Sequence, residues 1–180
     1  LTVSLRQSVV LALGQLGDCD EDAADVALRR ALVRSLKDPD PQVQNFTIVS
    51  MGLVGARVDT DEGADRAAAK ELRKQLSNQL ATGKSRRAWA GVAIGLMERG
   101  FVEAGREPSA DQLAALTASL DGRRSGNDVA AFAIGLGLAT HRDATPVLLR
   151  QLEAQSTDDA RARLCVALGL MKARSAEIAD

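Results

Sequence analysis

The stretch LALGQLG at residues 11–17 constrains this chain more tightly than anything else in it, because it returns four times. It reappears as VSMGLVG (49–55), VAIGLME (92–98), FAIGLGL (132–138) and VALGLMK (166–172). Each copy sets a glycine inside an apolar, helix-forming run: Gly14, Gly52, Gly95, Gly135 and Gly169. Glycine in a helix interior costs about 1 kcal/mol relative to alanine. A cost accepted five times has a positional reason. The separations of 38, 43, 40 and 34 residues fall near the lengths of two-helix repeats.

The columns around the glycine stay in step. Two residues before it stand Ala12, Ser50, Ala93, Ala133 and Ala167, all small. One before it stand Leu13, Met51, Ile94, Ile134 and Leu168, all large and apolar. One after it come Gln15, Leu53, Leu96, Leu136 and Leu170, and eight before it come the polar Arg6, Gln44, Arg87, Asn127 and Arg161. Small residues let helix axes approach closely, and a large neighbour fills the adjoining groove. Each segment therefore reads as the same helix in the same surroundings.

A second amphipathic helix follows each glycine helix. Leu28, Leu32 and Leu36 share one face, as do Leu72, Leu76 and Leu80. Leu113, Leu116 and Leu120 form the third stripe, and Leu148 with Leu152 the fourth, mostly at i, i+4 spacing. Asp40-Pro41 reads as N-cap and first helical residue. Ser109 with Gln112 fits a capping box, and Asp143 is placed to cap the helix carrying Pro146. Gly17, Gly55 and Gly100 stand where the glycine helices should end. The pattern predicts one all-α domain over 1–180, with repeats near 1–39, 40–82, 83–122, 123–156 and 157–180. The last repeat lacks a complete second helix, which leaves the apolar face around Leu164, Leu168 and Met171 to be uncovered or covered by another chain.

Composition agrees. Hydrophobic residues make up 46% of the chain but aromatics only 2%, so the core is built from Leu, Val, Ile and Ala, which suits close-packed helices. The net charge of −1 gives no global field toward nucleic acid or an anionic membrane. No run approaches a membrane span and no signal-peptide pattern is present, which favours a cytoplasmic setting for this segment. The chain begins with Leu inside an apparent helix, which suggests a piece of a longer protein.

The segment LKDPDPQVQNFTIVSMGLVG (36–55) resembles the HEAT repeat, in particular the short bacterial type found in phycobilisome-lyase proteins. That type opens with Leu-x-Asp-Pro-Asp-Pro-x-Val-Arg and closes a helix with Ala-Leu-Gly-x-Leu-Gly. Asp38, Pro39, Asp40, Pro41 and Val43 match, while Gln44 stands in place of the Arg. VLALGQLGD (10–18) and CVALGLM (165–171) match the helix end. The third and fourth repeats depart from the opening, with ATGKSRRAW and DGRRSGNDV. The resemblance implies a right-handed α-solenoid of about five helix pairs, with the second helix of each pair on the concave face. It also implies a scaffold that binds other proteins.

Motifs for chemistry are weak. GKS at 83–85 has Asn78 where a phosphate loop needs glycine. DCDED (18–22) and DTDEGAD (59–65) fail the calcium-loop pattern: counting from Asp18 the required glycine and glutamate positions hold Ala23 and Arg29, and from Asp59 they hold Ala64 and Lys70. Those acids are expected near helix N-termini, where the dipole favours them. His141, the single histidine, has no partner for nucleophilic or metal chemistry. Cys19, among acids, is a poor nucleophile, and Cys165 reads as a buried small hydrophobe. Trp89 reads as packed within its helix. The expectation is a non-enzyme with no cofactor and no metal.

Charge suggests where a partner would bind. With the leucine stripe inward, Arg30 and Lys37 point outward, with Arg34 at the margin; Lys70 and Lys74 in the second repeat and Arg150 in the fourth also point outward. Loops after the glycine helices are acidic in repeats one and two. Loops before them carry Lys84, Arg86, Arg87, Arg123 and Arg124. One edge is thus expected to be acidic and the other basic. A protein partner is the leading expectation, with self-association through the last repeat. The alternatives are a nucleic-acid-binding array using the basic edge and a lyase-type accessory protein that handles a chromophore.

Overall fold

The computed structural model describes residues 1–58, 64–122 and 125–171, with backbone alone over 64–66. Nine α-helices form among the described residues, and no strand. They are α1 (Val3–Leu16), α2 (Ala23–Ser35), α3 (Pro41–Ala56), α4 (Ala64–Thr82), α5 (Arg87–Glu103), α6 (Ala110–Asp121), α7 (Gly126–Leu138), α8 (Thr145–Ala154) and α9 (Asp158–Leu170). Short 3-10 turns at Lys84–Arg86 and Arg142–Ala144 precede α5 and α8. No helix among the described residues is long and apolar enough to cross a membrane.

Helix starts follow the sequence signals. Side chains of Thr2, Asp22, Asp40, Ser109 and Thr157 each accept the backbone N–H three residues on, and Pro41 occupies the first turn of α3. Only half of the expected capping box forms. Ser109 Oγ accepts from Gln112 N at 3.4 Å, but the Gln112 side chain donates to Arg73 O and Ser77 Oγ instead. Asp143 does not cap α8, whose N-cap is Ala144 without a side-chain bond. Nor does α5 end at Gly100. It runs to Glu103, and Gly105, at φ +69°, lets Arg106 N reach back to Phe101 O at 2.8 Å, a Schellman closure.

The odd-numbered helices form one row in which each packs along the next, from α1 to α9. The even-numbered helices lie over that row, α2, α4 and α6 each between two glycine helices and α8 against α9, and they touch one another sparingly. The glycines explain the tightness of the first row. A Cβ on Gly52 would sit 2.5 Å from Ala93 O, and one on Gly95 would overlap Gly135 O. Likewise Gly14 faces Ser50 and Gly137 faces Ala167, while Ser50 Oγ donates across its seam to Val10 O at 2.8 Å. At Gly52, Gly95 and Gly137 backbone meets backbone, and at Gly14 the small Ser50 side chain takes the space, so no larger side chain fits between.

These contacts correct the register of the fourth repeat. At every other seam the glycine of one helix meets the residue two before the glycine of the next. Gly95 meets Gly135, so the equivalent glycine in α7 is Gly137, and Gly135 fills the small-residue column. Burial agrees: Leu136 is buried as Met51, Ile94 and Leu168 are, whereas Ile134 and Leu138 are half-buried like Val49 and Leu53. FAIGLGL carries two glycines, and only the neighbouring helices distinguish them.

The leucine stripes enter the space between the rows, where Leu32, Leu76, Leu116, Leu120 and Leu148 have no exposed surface. One polar group lies there too. The fully buried Glu98 of α5 receives Arg73 Nε and Nη2 of α4 at 2.8 and 2.9 Å, and Ser109 N at 2.7 Å. The Arg73 guanidinium also lies 4.0 Å from the Phe101 ring centre. A buried carboxylate is tolerated only with such complete pairing.

The far end differs from expectation. Leu164, Leu168 and Met171 are buried, because that side of α9 faces α7 and α8. Among the described residues, the uncovered side is the next one round the helix. It carries Cys165, which is exposed rather than buried, with Val166 at 55% exposure and Gly169 facing open space.

Candidate functional site

An opening lies where α2 and α4 stand apart in the second row. It is a groove of about 520 Å³. Val26, Val33, Ala68 and Leu72 form its apolar lining, and Arg29, Arg30, Arg34, Glu21 and Glu71 stand around it. The leucine stripe makes the groove possible. Leu32, Leu36, Leu72 and Leu76 point into the core, so the next residues round each helix, Val26, Val33 and Ala68, face the space between α2 and α4.

The arginines differ in availability. Arg29 Nη1 donates to Asp18 O at 2.8 Å, which ties it to the loop before α2. Arg30 and Arg34 are exposed and make no ion pair among the described residues. Apolar lining beside two unpaired guanidiniums suits a ligand with both an apolar body and carboxylates.

The other cations expected at a partner site are not gathered there. Lys70 and Lys74 are exposed on α4 outside the groove lining, and Lys37 lies in the turn after α2. Arg150 Nη2 pairs with Asp121 Oδ1 at 2.9 Å on α8. Sequence reasoning found Arg30 and Arg34 but missed Val26, Val33 and Ala68. Their signal was available as apolar residues lying off the leucine stripe.

Both loop edges exist as neighbours. Cys19 N donates to Arg57 O, joining the loops after α1 and α3. Arg86 Nη1 reaches Leu36 O and Gln44 Oε1 at 3.4 and 3.0 Å, joining the loops before α3 and α5. Arg87 Nη2 donates to Ala81 O at 2.9 Å. Arg86 and Arg87 thus hold loops together, while Lys84 is exposed. Arg123 and Arg124 lie outside the described residues.

The acidic loop is largely a set of turns and caps. Asp18 Oδ1 accepts Asp20 N, Asp20 Oδ1 accepts Asp22 N, and Asp22 Oδ1 accepts Asp25 N. Asp18, Asp20 and Asp25 each bring an oxygen within 4.8 Å of the others. The Asp18 N–H favours ionised Asp25, yet burial and the charges of Asp18, Asp22 and Asp20 prevail, and its carboxyl is raised above the ordinary range. The corresponding acids at 59–63 lie outside the described residues. Cys19 is buried, with Sγ 3.5 Å from Val54 O. His141 is half-buried, and desolvation lowers its pKa against the opposing charge of Asp143.

Comparison with known proteins finds no matching family model, no matching curated protein and no matching solved structure.

Proposed function

We propose that this chain is a non-catalytic, HEAT-like protein-interaction module, a right-handed solenoid that binds an amphipathic, acidic segment of another protein in the α2–α4 groove. The observation that carries this reading is the groove itself, with its apolar lining beside Arg30 and Arg34. Valines and Leu72 take apolar side chains of the ligand, and the two guanidiniums take its carboxylates. The basic-edge reading for nucleic acid is weaker, because Arg86 and Arg87 are already engaged by carbonyl and amide oxygens.

Selection of binders from a random peptide library tests the proposal. Enriched peptides are expected to combine acidic and apolar residues. Arg30→Glu with Arg34→Glu is expected to weaken them about tenfold or more, since hydrogen bonds to charged groups contribute about 1.5–3 kcal/mol each. Peptides that bind the double variant as well as the parent would overturn the assigned groove.

A further inference from the structure

The seams of the second row differ in whether an amide bridges them. Gln112 on α6 donates Nε2 to Arg73 O and Ser77 Oγ of α4, both at 2.9 Å. Gln151 on α8 donates Nε2 to Leu120 O and Asp121 O of α6 at 3.1 and 3.3 Å. Each glutamine stands immediately before a leucine of its stripe, Leu113 or Leu152. On α4 the residue immediately before Leu72 is Glu71. A carboxylate has no N–H to give to α2, and Glu71 Oε1 instead accepts Gln75 Nε2 of its own helix at 2.7 Å. Among the described residues the α2–α4 seam has no such bridge, and its two rims carry opposite charges. At about 100° per residue round each helix, Arg30 and Arg34 lie on the outer rim of α2 beyond Val26 and Val33, and Glu71 lies on the outer rim of α4 beyond Ala68. All three charged residues are exposed, and none of them forms an ion pair among the described residues. Lys70 and Lys74 lie further round α4, outside the lining.

We infer that the segment taken by this groove is an amphipathic helix with carboxylates along one flank and a lysine or arginine on the other, and that Glu71 reads the second flank. The inference rests on the protein-interaction reading of the groove and adds the shape and charge order of its ligand. The groove has three surfaces: an apolar floor, a cationic rim and an anionic rim. An extended strand presents only two faces, because its side chains alternate. A helix presents three. Apolar residues at i, i+3 or i+4, and i+7 meet the floor, acids on one flank meet Arg30 and Arg34, and a base on the other meets Glu71. Val26 and Arg34 lie about 12 Å apart along α2, so the ligand needs a little over two turns to span the groove. The opposed rims also fix direction, since a given helix laid in reverse brings its acids against Glu71 and its base against the arginines.

Peptides selected on the parent chain test this. Their sequences are expected to fit one helical wheel, with an apolar stripe, acids on one side of it and a lysine or arginine on the other. Backbone chemical shifts of an isotope-labelled peptide are expected to move to helical values on binding. Glu71→Lys changes an exposed position of α4, so helical circular dichroism should be unaltered. It is expected to weaken a selected peptide by about threefold to tenfold, and Glu71→Gln by less. Exchanging the peptide's base for glutamate should weaken it on the parent and restore it on the Glu71→Lys chain. Four outcomes would overturn the inference: strand-like shifts in the bound peptide, selected peptides with no base opposite their acids, equal affinity for the parent and Glu71→Lys, or no rescue by the exchanged peptide. Arg30→Glu with Arg34→Glu separates it from the groove reading. If that pair weakens the peptide and Glu71→Lys does not, the groove stands and the helix with opposed flanks falls. If neither does, the groove itself falls.

Discussion

The two rows of helices keep their neighbours at different distances, and the difference divides the molecule's tasks. In the odd-numbered row, backbone touches backbone through Gly52, Gly95 and Gly137, and Gly14 lies against the small Ser50. In the even-numbered row, leucines point inward and neighbouring helices touch little, leaving an apolar groove between α2 and α4. The first arrangement admits almost no change of volume and so fixes register. The second has room for larger side chains and for a ligand.

The largest expected effect comes from the link between the rows. Glu98→Ala strands Arg73 and removes the acceptor for Ser109 N, so a loss of about 3–5 kcal/mol is expected in urea unfolding. A loss below about 1 kcal/mol would show that the two rows cohere without this pair. Next, Gly95→Ala drives a methyl into the Gly135 backbone. Overpacking of this kind costs about 1–3 kcal/mol, whereas Arg34→Ala on the exposed face of the second row should change stability by less than about 0.5 kcal/mol. Equal effects would erase the distinction between the rows.

Gly169→Ala, in the same column but with no neighbour within 4 Å among the described residues, should stabilise α9 by about 0.5–1 kcal/mol. Opposite signs at Gly95 and Gly169 would separate close approach from helix propensity as the reason for this column. The smallest effect concerns the seam at α1. Arg6 Nε and Nη2 donate to Asp38 at 2.8 and 3.1 Å, and this, with the Asp40 N–H, holds the Asp38 carboxyl below its ordinary 3.8. A lowered carboxylate pKa adds stability above the unfolded value, and that stability is lost as pH falls through the folded value. The advantage of the parent over Asp38→Asn should therefore be present at neutral pH, shrink below about pH 4 and diminish with salt. An advantage that grows on acidification would contradict the assigned pair.

Most of the helical framework was legible in the sequence because its signals are local. Caps such as Asp40 and Ser109 act within three residues, and the leucine stripes repeat within two turns. The glycine column was visible as well, but its register in α7 was not. Gly135 and Gly137 are equally good by pattern, and only Gly95 and Ala167 on the adjoining helices choose between them. Cys165 was misread for the same reason: an apolar run does not say which side of a helix has a neighbour. Arg30 and Arg34 were identifiable by their position opposite the leucines, whereas the groove required the spacing of α2 and α4.

By itself, the sequence determined that this chain is all-α, that it repeats, and that its repeats approach closely once per helix pair. Those properties follow from periodicity and residue size, which are read one segment at a time. Only the tertiary structure decided which glycine marks the fourth repeat, which side of α9 carries Cys165, and where the second row parts. Those depend on distances between segments far apart in the chain, set by packing across seams rather than by any one stretch of residues.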